Sequence, residues 1–363
     1  MKVALVHDYL KEYGGAERVL EALTEIYPEA PIYTAFMVKN SAAGKAFAGK
    51  KIITSWANWF LPFKNLYSPL RFLIPLIWES FDFREFDIVI SSASWYITKS
   101  ILTSPETLHI CYCHTPPRWL YGYQTAVEWK RFLPIRVYGE ILAFFLRKYD
   151  FLAAQRVDEF IANSKNTRQR IKKFYRRDST VIYPPVSFGG STSLEVEPLK
   201  ERYFLCVSRL SGAKNIDLAI SACSKLGENL WIVGSGQEEQ KLRSLAGPTI
   251  RFLGQVSDSK LWDIYRGCQA LIATAQDEDF GITPVEAMAS GRPVIAFRGG
   301  GYLESVIEGK TGVFFNEPTV ESLTEAIKQL SNLAIKPEDC RNQAKKFSKE
   351  RFKREIREFV ENK

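Results

Sequence analysis

Two glutamates, Glu278 and Glu286, stand eight residues apart in the stretch EDFGITPVEAMASGRPVIAF (278–297). Thr283-Pro284-Val285-Glu286 reads as a capping box with proline at the first helical position, leading into a helix through Ala287–Ala289 that Gly291 closes. On that reading Glu286 caps its own helix and need do nothing else. The chemical reading starts from position. Both carboxylates follow the apolar run CQALIATA (268–275), beside a helix start that attracts anions, where they can accept hydrogen bonds from sugar hydroxyls. Arg209 stands at the end of another apolar run, YFLCVSRL (203–210), and Lys214 shortly after it. A guanidinium fork and an ammonium point charge suit a phosphate, although basic residues after a strand are also common surface decoration. Gly14 and Gly15, after VALVHDY (3–9), permit close backbone approach to an oxyanion or simply a tight turn. His114 ends TLHICYCH (107–114), where it can hold a hydroxyl, stabilise developing positive charge, or pack as an ordinary core or capping histidine.

These residues sit at the ends of apolar runs, and the runs define the architecture. In the first half VALVHDY (3–9), FDIVISS (86–92), TLHICYCH (107–114) and EFIANS (159–164) alternate with turn signals or helix-like stretches, which predicts parallel strands with helical crossovers. YPPVSFGGSTSLEVEPLKE (183–201) reads as an interdomain linker. A second α/β unit restarts with YFLCVSRL, NLWIVGSG (229–236), TIRFLGQV (249–256), CQALIATA and RPVIAF (292–297). The predicted domains are 1–185, a linker at 186–202, 203–340, and an amphipathic terminal helix over 341–363 that packs back towards the first domain. Two doubly wound domains of this kind face each other across a cleft, and ligands bind beyond the strand ends.

The block from Glu278 to Glu286, an E-x(7)-E motif set in FG-x-x-x-x-EAMA-x-G-x-PV, resembles the retaining, nucleotide-sugar-dependent glycosyltransferases of family four, which have the GT-B fold. YGGAERV (13–19), CHTPPRWLY (113–121), IANSKNTRQRI (161–171), VSRLSGAKNIDLAI (207–220), VGSG (233–236) and FLGQVSD (252–258) match further family segments in order, so the resemblance covers nearly the whole chain. Within the family the chain looks most similar to bacterial mannosyltransferases of surface polysaccharide synthesis. The resemblance implies roles. Glu286 binds the ribose hydroxyls and Glu278 the transferred hexose. Arg209 and Lys214 grip the diphosphate and stabilise the charge that develops as the glycosidic bond breaks. Phe280, Gly281 and Ile282 line the donor site, Gly14 and Gly15 form a phosphate- and acceptor-side loop, and His114 lies near the donor hexose. It also implies same-face attack, with the departing phosphate oxygen taking the acceptor proton, and domain closure that excludes water. No metal or other cofactor is obligatory. The donor is a nucleotide sugar, GDP-mannose favoured over a UDP-hexose, with base choice set around 252–258. The acceptor is a glycan or a polyprenyl-linked sugar. An epimerase or phosphorylase of the same fold, a non-catalytic nucleotide-sugar binder and a membrane scaffold are the competing classes.

Charge and composition bear on partners. The 363 residues carry a formal charge of +8, and residues 1–190 hold 25 Lys and Arg against 17 Asp and Glu, so all of it lies in the first half. Residues 130–177 alone hold 13 basic and 4 acidic residues, mixed with aromatics, and a second aromatic cluster spans 55–83. The basic segment suits an anionic membrane, nucleic acid or an acidic acceptor, and equally a solvated helix face over an ordinary core, whereas the 55–83 stretch reads either as packing beneath a long insertion or as a surface that dips into a membrane interface or holds a lipid tail. No nucleic-acid motif accompanies the charge, so nucleic acid ranks below membrane. No run reaches the roughly 18 apolar residues of a membrane-crossing helix, the N-terminus reads as a strand, and six cysteines without a disulfide framework suggest a reducing cytosol. The expected location is cytoplasmic, peripheral on the inner face of the cell membrane.

Other motifs are weaker. HICYCH (109–114) looks like metal spacing, but a strand would put His109, Cys111 and Cys113 on one face and His114 on the other. Asp277-Glu278-Asp279 is literally D-x-D, read here as part of the sugar site. VGSGQEE lacks the third glycine of a dinucleotide fingerprint, and neither G-x-x-x-x-G-K-[ST] nor G-x-S-x-G occurs.

Overall fold

A computed structural model describes residues 1–125, 132–188 and 201–363. Residues 189–200, most of the expected linker, lie outside the described residues, as do 126–131. The chain divides into two compact units, the first formed mainly by residues 1–185 with Phe352–Lys363, the second by Val186–Arg351.

The first unit is built on β1 (Val3–His7), β2 (Ile32–Thr34), β3 (Ile52–Thr54), β4 (Ile88–Ala93), β5 (Leu108–Cys113), β6 (Glu159–Ala162) and β7 (Thr180–Val181). All pair in parallel, in the order β3-β2-β1-β4-β5-β6-β7. The strand order reverses direction between β1 and β4, and the register there sets His7 opposite Ser92. β1 is buried at every position, as expected of a parallel strand covered on both faces.

The helix Gly15–Ile26 after β1 buries Val19, Leu20 and Leu23, an i, i+1, i+4 stripe, against the sheet. The same core includes Phe352, Ile356 and Val360, one face of the helix Lys349–Glu361. Burying each such side chain is worth about 1.5–3 kcal/mol. Lys353 on this helix pairs with Glu25 at 3.0 Å, and Lys363, just beyond its end, with Glu159 at 2.5 Å. The stretch expected as one terminal helix over 341–363 is in fact two. Pro337–Lys345 stays with the second unit, and the chain breaks at 346–348 before Lys349–Glu361.

The second unit carries β8 (Phe204–Val207), β9 (Leu230–Val233), β10 (Ile250–Gly254), β11 (Leu271–Ala273), β12 (Val294–Phe297) and β13 (Gly312–Phe315), parallel in the order β10-β9-β8-β11-β12-β13. Its order reverses between β8 and β11. In each unit the loops leaving the two central strands are therefore where a ligand site is favoured.

Candidate functional site

In the second unit, the loop after β8 carries Arg209 and Lys214. It is held from beneath by VGSG. The Ser208 N–H donates to the Val233 carbonyl at 3.1 Å and the Leu210 N–H to the Ser235 carbonyl at 2.9 Å. A Cβ at Gly234 would sit 1.9 Å from the Ser208 carbonyl oxygen, so the two loops can touch only because that residue is glycine. Arg209 is exposed. Lys214 turns inward. The Thr274 hydroxyl donates to its carbonyl at 2.6 Å, tying the loop to the end of β11.

The Lys214 ammonium donates to Glu278 Oε2 at 2.5 Å. The Tyr302 hydroxyl lies 3.5 Å from the same oxygen, and burial, reinforced by the Glu278 charge, holds that phenol well above its ordinary pKa. The loop bearing Glu278 rests on Gly299-Gly300-Gly301, after β12. The Gly301 N–H donates to the Glu278 carbonyl at 2.9 Å, and a Cβ at Gly300 would come within 2.3 Å of that oxygen. These glycines and Tyr302 escaped the sequence reading. Their signal was the GGGY run at the end of RPVIAF.

The helix after β11 spans Ile282–Ala289, and its N-cap is Gly281 at φ +86°. Thr283 and Pro284 therefore lie inside the first turn, and the expected Thr283 cap is not formed. A left-handed N-cap residue reverses the chain here, which glycine does without strain. Phe280 is buried against Phe347 at 5.3 Å between ring centroids. Ile282 opens the helix, so the 280–282 backbone runs into its N-terminus. Glu286 is buried and accepts the Tyr265 hydroxyl at 2.7 Å.

In the first unit, Gly14 is the N-cap of Gly15–Ile26, and its N–H donates to the Glu17 carboxylate at 2.8 Å. Glu17 Oε1 lies 3.4 Å from His7 Nε2, His7 Nδ1 lies 3.1 Å from Ser92 Oγ, and Ser92 Oγ lies 2.8 Å from His114 Nε2. One polar chain thus runs from the glycine loop to His114. Burial, with His7 nearby, pushes the His114 pKa down to about 3, so its imidazole is neutral. For Glu17, burial acts upward but is outweighed by His7 and the Gly14 N–H, which leave the carboxyl below its usual range. His109 points to the opposite face, onto Ser91 at 2.8 Å, and burial likewise lowers its pKa to about 3. Among the described residues no group of three or more His, Cys, Asp or Glu is arranged to hold a metal ion.

Comparisons with known proteins agree with this layout. Residues 13–188 match the family model for Glycosyltransferase Family 4, and residues 194–347 match Glycosyl transferases group 1. The alpha-1,3/1,6-mannosyltransferase ALG2 of Dictyostelium discoideum is 26% identical over 302 residues, 69% of this chain and 68% of that protein. The lipopolysaccharide core biosynthesis mannosyltransferase LpcC of Rhizobium leguminosarum is 44% identical over 78 residues, 22% of each chain. Among solved structures, Anabaena HepE in complex with UDP and glucose superposes with a TM-score of 0.73 at 18% identity over 99% of both chains. The lipopolysaccharide outer core galactosyltransferase WaaB matches at 0.68 and 16%, over 100% of this chain and 99% of that one. The two parallel α/β units are those of the GT-B fold.

Proposed function

The chain belongs to the glycosyltransferases, with a family 4 first half and a group 1 second half, and from that premise we propose that it is a retaining hexosyltransferase moving mannose from GDP-mannose to a glycan or polyprenyl-linked acceptor in bacterial surface polysaccharide synthesis. The observation that carries the donor site is the Lys214–Glu278 pair, set at the strand-order reversal of the second unit beside the N-terminus of Ile282–Ala289. Mannose is favoured by the names of the two mannosyltransferase relatives.

Arg209 and Lys214 hold the diphosphate, and the 280–282 backbone at the helix start adds N–H dipoles. Glu278 takes a hexose hydroxyl and Glu286 the ribose. As the bond from the sugar's anomeric carbon to the phosphate oxygen breaks, negative charge grows on that oxygen, and the cations stabilise it more than they do the bound donor. The acceptor hydroxyl oxygen bonds to the anomeric carbon on the same face, and its proton passes to the departing phosphate oxygen. The two cations carry the charge that a divalent metal would otherwise neutralise, so turnover should survive chelation. Neutral His114, fixed through Ser92, offers a hydrogen bond to a sugar hydroxyl. The protein works at the cytoplasmic face of the membrane.

A calorimetric screen of GDP- and UDP-hexoses tests the reading. GDP-mannose should bind best, and Lys214→Ala and Glu286→Ala should each weaken it. Preference for a UDP-hexose overturns the donor assignment, and unaltered affinity in both variants overturns the site.

A further inference from the structure

Arg71, in the aromatic stretch between β3 and β4, is sandwiched between two indoles. Its guanidinium carbon lies 4.6 Å from the ring centroid of Trp95 and 4.6 Å from that of Trp119. The indoles are themselves fixed. Trp95 Nε1 donates to the Tyr9 hydroxyl at 2.6 Å, and Trp119 Nε1 lies 3.4 Å from the Trp95 carbonyl. Stacking of this kind holds a guanidinium plane while leaving its edge N–H groups to bind something else. The single hydrogen bond that Arg71 makes among the described residues goes from Nη2 to the Ser68 hydroxyl at 3.1 Å, and it has no carboxylate partner there. Burial depresses its pKa, with the phenols of Tyr9, Tyr96 and Tyr67 working the other way. Asp8 does not neutralise it. Its oxygens are engaged by the Ser94 and Thr98 hydroxyls and the N–H groups of Trp95 and Tyr96.

A second cation shares the cluster. The Lys11 ammonium sits 4.9 Å from the ring centroid of Tyr67 and donates to Asn65 Oδ1 at 2.6 Å, again with no carboxylate partner among the described residues. Tyr9 stacks on Phe36 and lies 5.2 Å from Tyr67, which joins the two cations through one aromatic wall. Lys11 follows β1 and Trp95 follows β4, the two strands at which the sheet order reverses. Apolar side chains open to solvent lie on the neighbouring elements: Phe72 next to Arg71, Leu76 on the short helix Ile74–Trp78, and Ile141 and Phe145 on the helix Leu133–Gln155, whose Tyr138 hydroxyl donates to the Pro69 carbonyl. A cation without a counter-charge, held between aromatic faces at a strand-order reversal and bordered by exposed aromatic and aliphatic side chains, is complementary to an anion carried on an apolar chain.

We propose that Arg71 and Lys11 form the binding site for the phosphate group of an amphiphilic acceptor, a phosphate joined to an apolar chain, with Trp95 and Trp119 as its aromatic walls. The proposal rests on the transferase reading above and assigns residues to hold the phosphate of the lipid-linked acceptor which that reading offers.

Octyl phosphate, octyl glucoside and inorganic phosphate are titrated into the full-length protein, followed by tryptophan fluorescence and calorimetry. GDP-mannose binding is measured on the same samples. Octyl phosphate should bind roughly tenfold or more tighter than octyl glucoside, the size expected for charge-assisted contacts, and also tighter than inorganic phosphate, which lacks the apolar chain. Arg71→Gln should abolish the preference over octyl glucoside, Arg71→Lys should keep part of it, and Lys11→Gln should reduce it several-fold, all with donor affinity unaltered. Equal binding of octyl phosphate and octyl glucoside, or a preference that survives Arg71→Gln, overturns the proposal. Binding of inorganic phosphate as tight as octyl phosphate overturns the apolar-chain half of it. If Arg71→Gln lowers the melting temperature too far to titrate, Lys11→Gln decides, and an unaltered preference there overturns the site. Loss of donor binding in the unmodified protein would instead count against the transferase reading, so the two failures are distinguishable.

Discussion

Lys214 and Glu278 are hydrogen-bonded to each other at 2.5 Å, so the cation assigned to the diphosphate and the carboxylate assigned to the hexose are one unit. Both side chains are mostly buried, at 25% and 17% exposure, which makes the pairing sensitive to loss of either partner.

The pair gives the first prediction. Lys214→Ala should weaken GDP and GDP-mannose alike, by roughly 10- to 100-fold, as for a lost charge-assisted bond. Glu278→Gln should weaken the sugar nucleotide and leave free GDP within a few-fold. Calorimetry with both ligands separates the roles, and equal losses for both ligands in Glu278→Gln would remove the hexose assignment.

Glu286 is buried and accepts a hydrogen bond from the Tyr265 hydroxyl. Tyr265→Phe removes that donor and leaves the carboxylate less firmly placed. Expected are a stability loss of about 1 kcal/mol and a several-fold weaker GDP affinity. Thermal melting and calorimetry report the two effects, and an unaltered affinity would mean that the hydrogen bond has no part in placing the ribose ligand.

Ser92 and Ser91 provide a matched pair. Ser92 bridges His7 and His114, whereas Ser91 holds His109 on the other face of β4. Either Ser→Ala change should cost about 1–3 kcal/mol by leaving a buried ring nitrogen unpaired. Only Ser92→Ala should also lower kcat. Equal kcat in the two variants would separate the relay from turnover.

His109 and His114 titrate near 3 when folded against an ordinary 6.5, burial being the main cause for both. Between those values the unfolded chain binds more protons, so stability is full above about pH 6.5 and falls as pH drops, by about 1.4 kcal/mol per pH unit for each site. His109→Gln should keep a side-chain partner for Ser91 and flatten the slope by one proton. Urea unfolding at pH 7.5, 6 and 5 measures it, and an unaltered slope would show that His109 does not contribute.

Much of this was legible in the sequence, for one physical reason: parallel strands covered on both faces are continuous apolar runs. VALVHDY, FDIVISS and NLWIVGSG announce β1, β4 and β9. The strands IYT, IIT and TV of β2, β3 and β7 are too short to stand out from their surroundings. The Glu278–Glu286 spacing pointed to the proposed donor site, but not to the pairing of Lys214 with Glu278, which depends on β8 lying beside β11. Nor could His7 be tied to Ser92, 85 residues away, until the β1–β4 register set them opposite each other. In the aromatic stretch 55–83, composition could not separate buried Trp78 and Phe83 from exposed Trp59 and Phe63, because the local helices are short and carry no long periodic stripe.

The helix Lys349–Glu361 completes the first unit's core from Phe352 onwards, yet the ribosome makes that part only after residues 186–351. During synthesis the 1–185 segment must therefore wait, with the patch destined for Phe352, Ile356 and Val360 uncovered, while the second unit is threaded out and free to fold. Dividing the gene at the unit boundary would yield an incomplete amino-terminal fragment, and an autonomous one calls for grafting that last helix onto it.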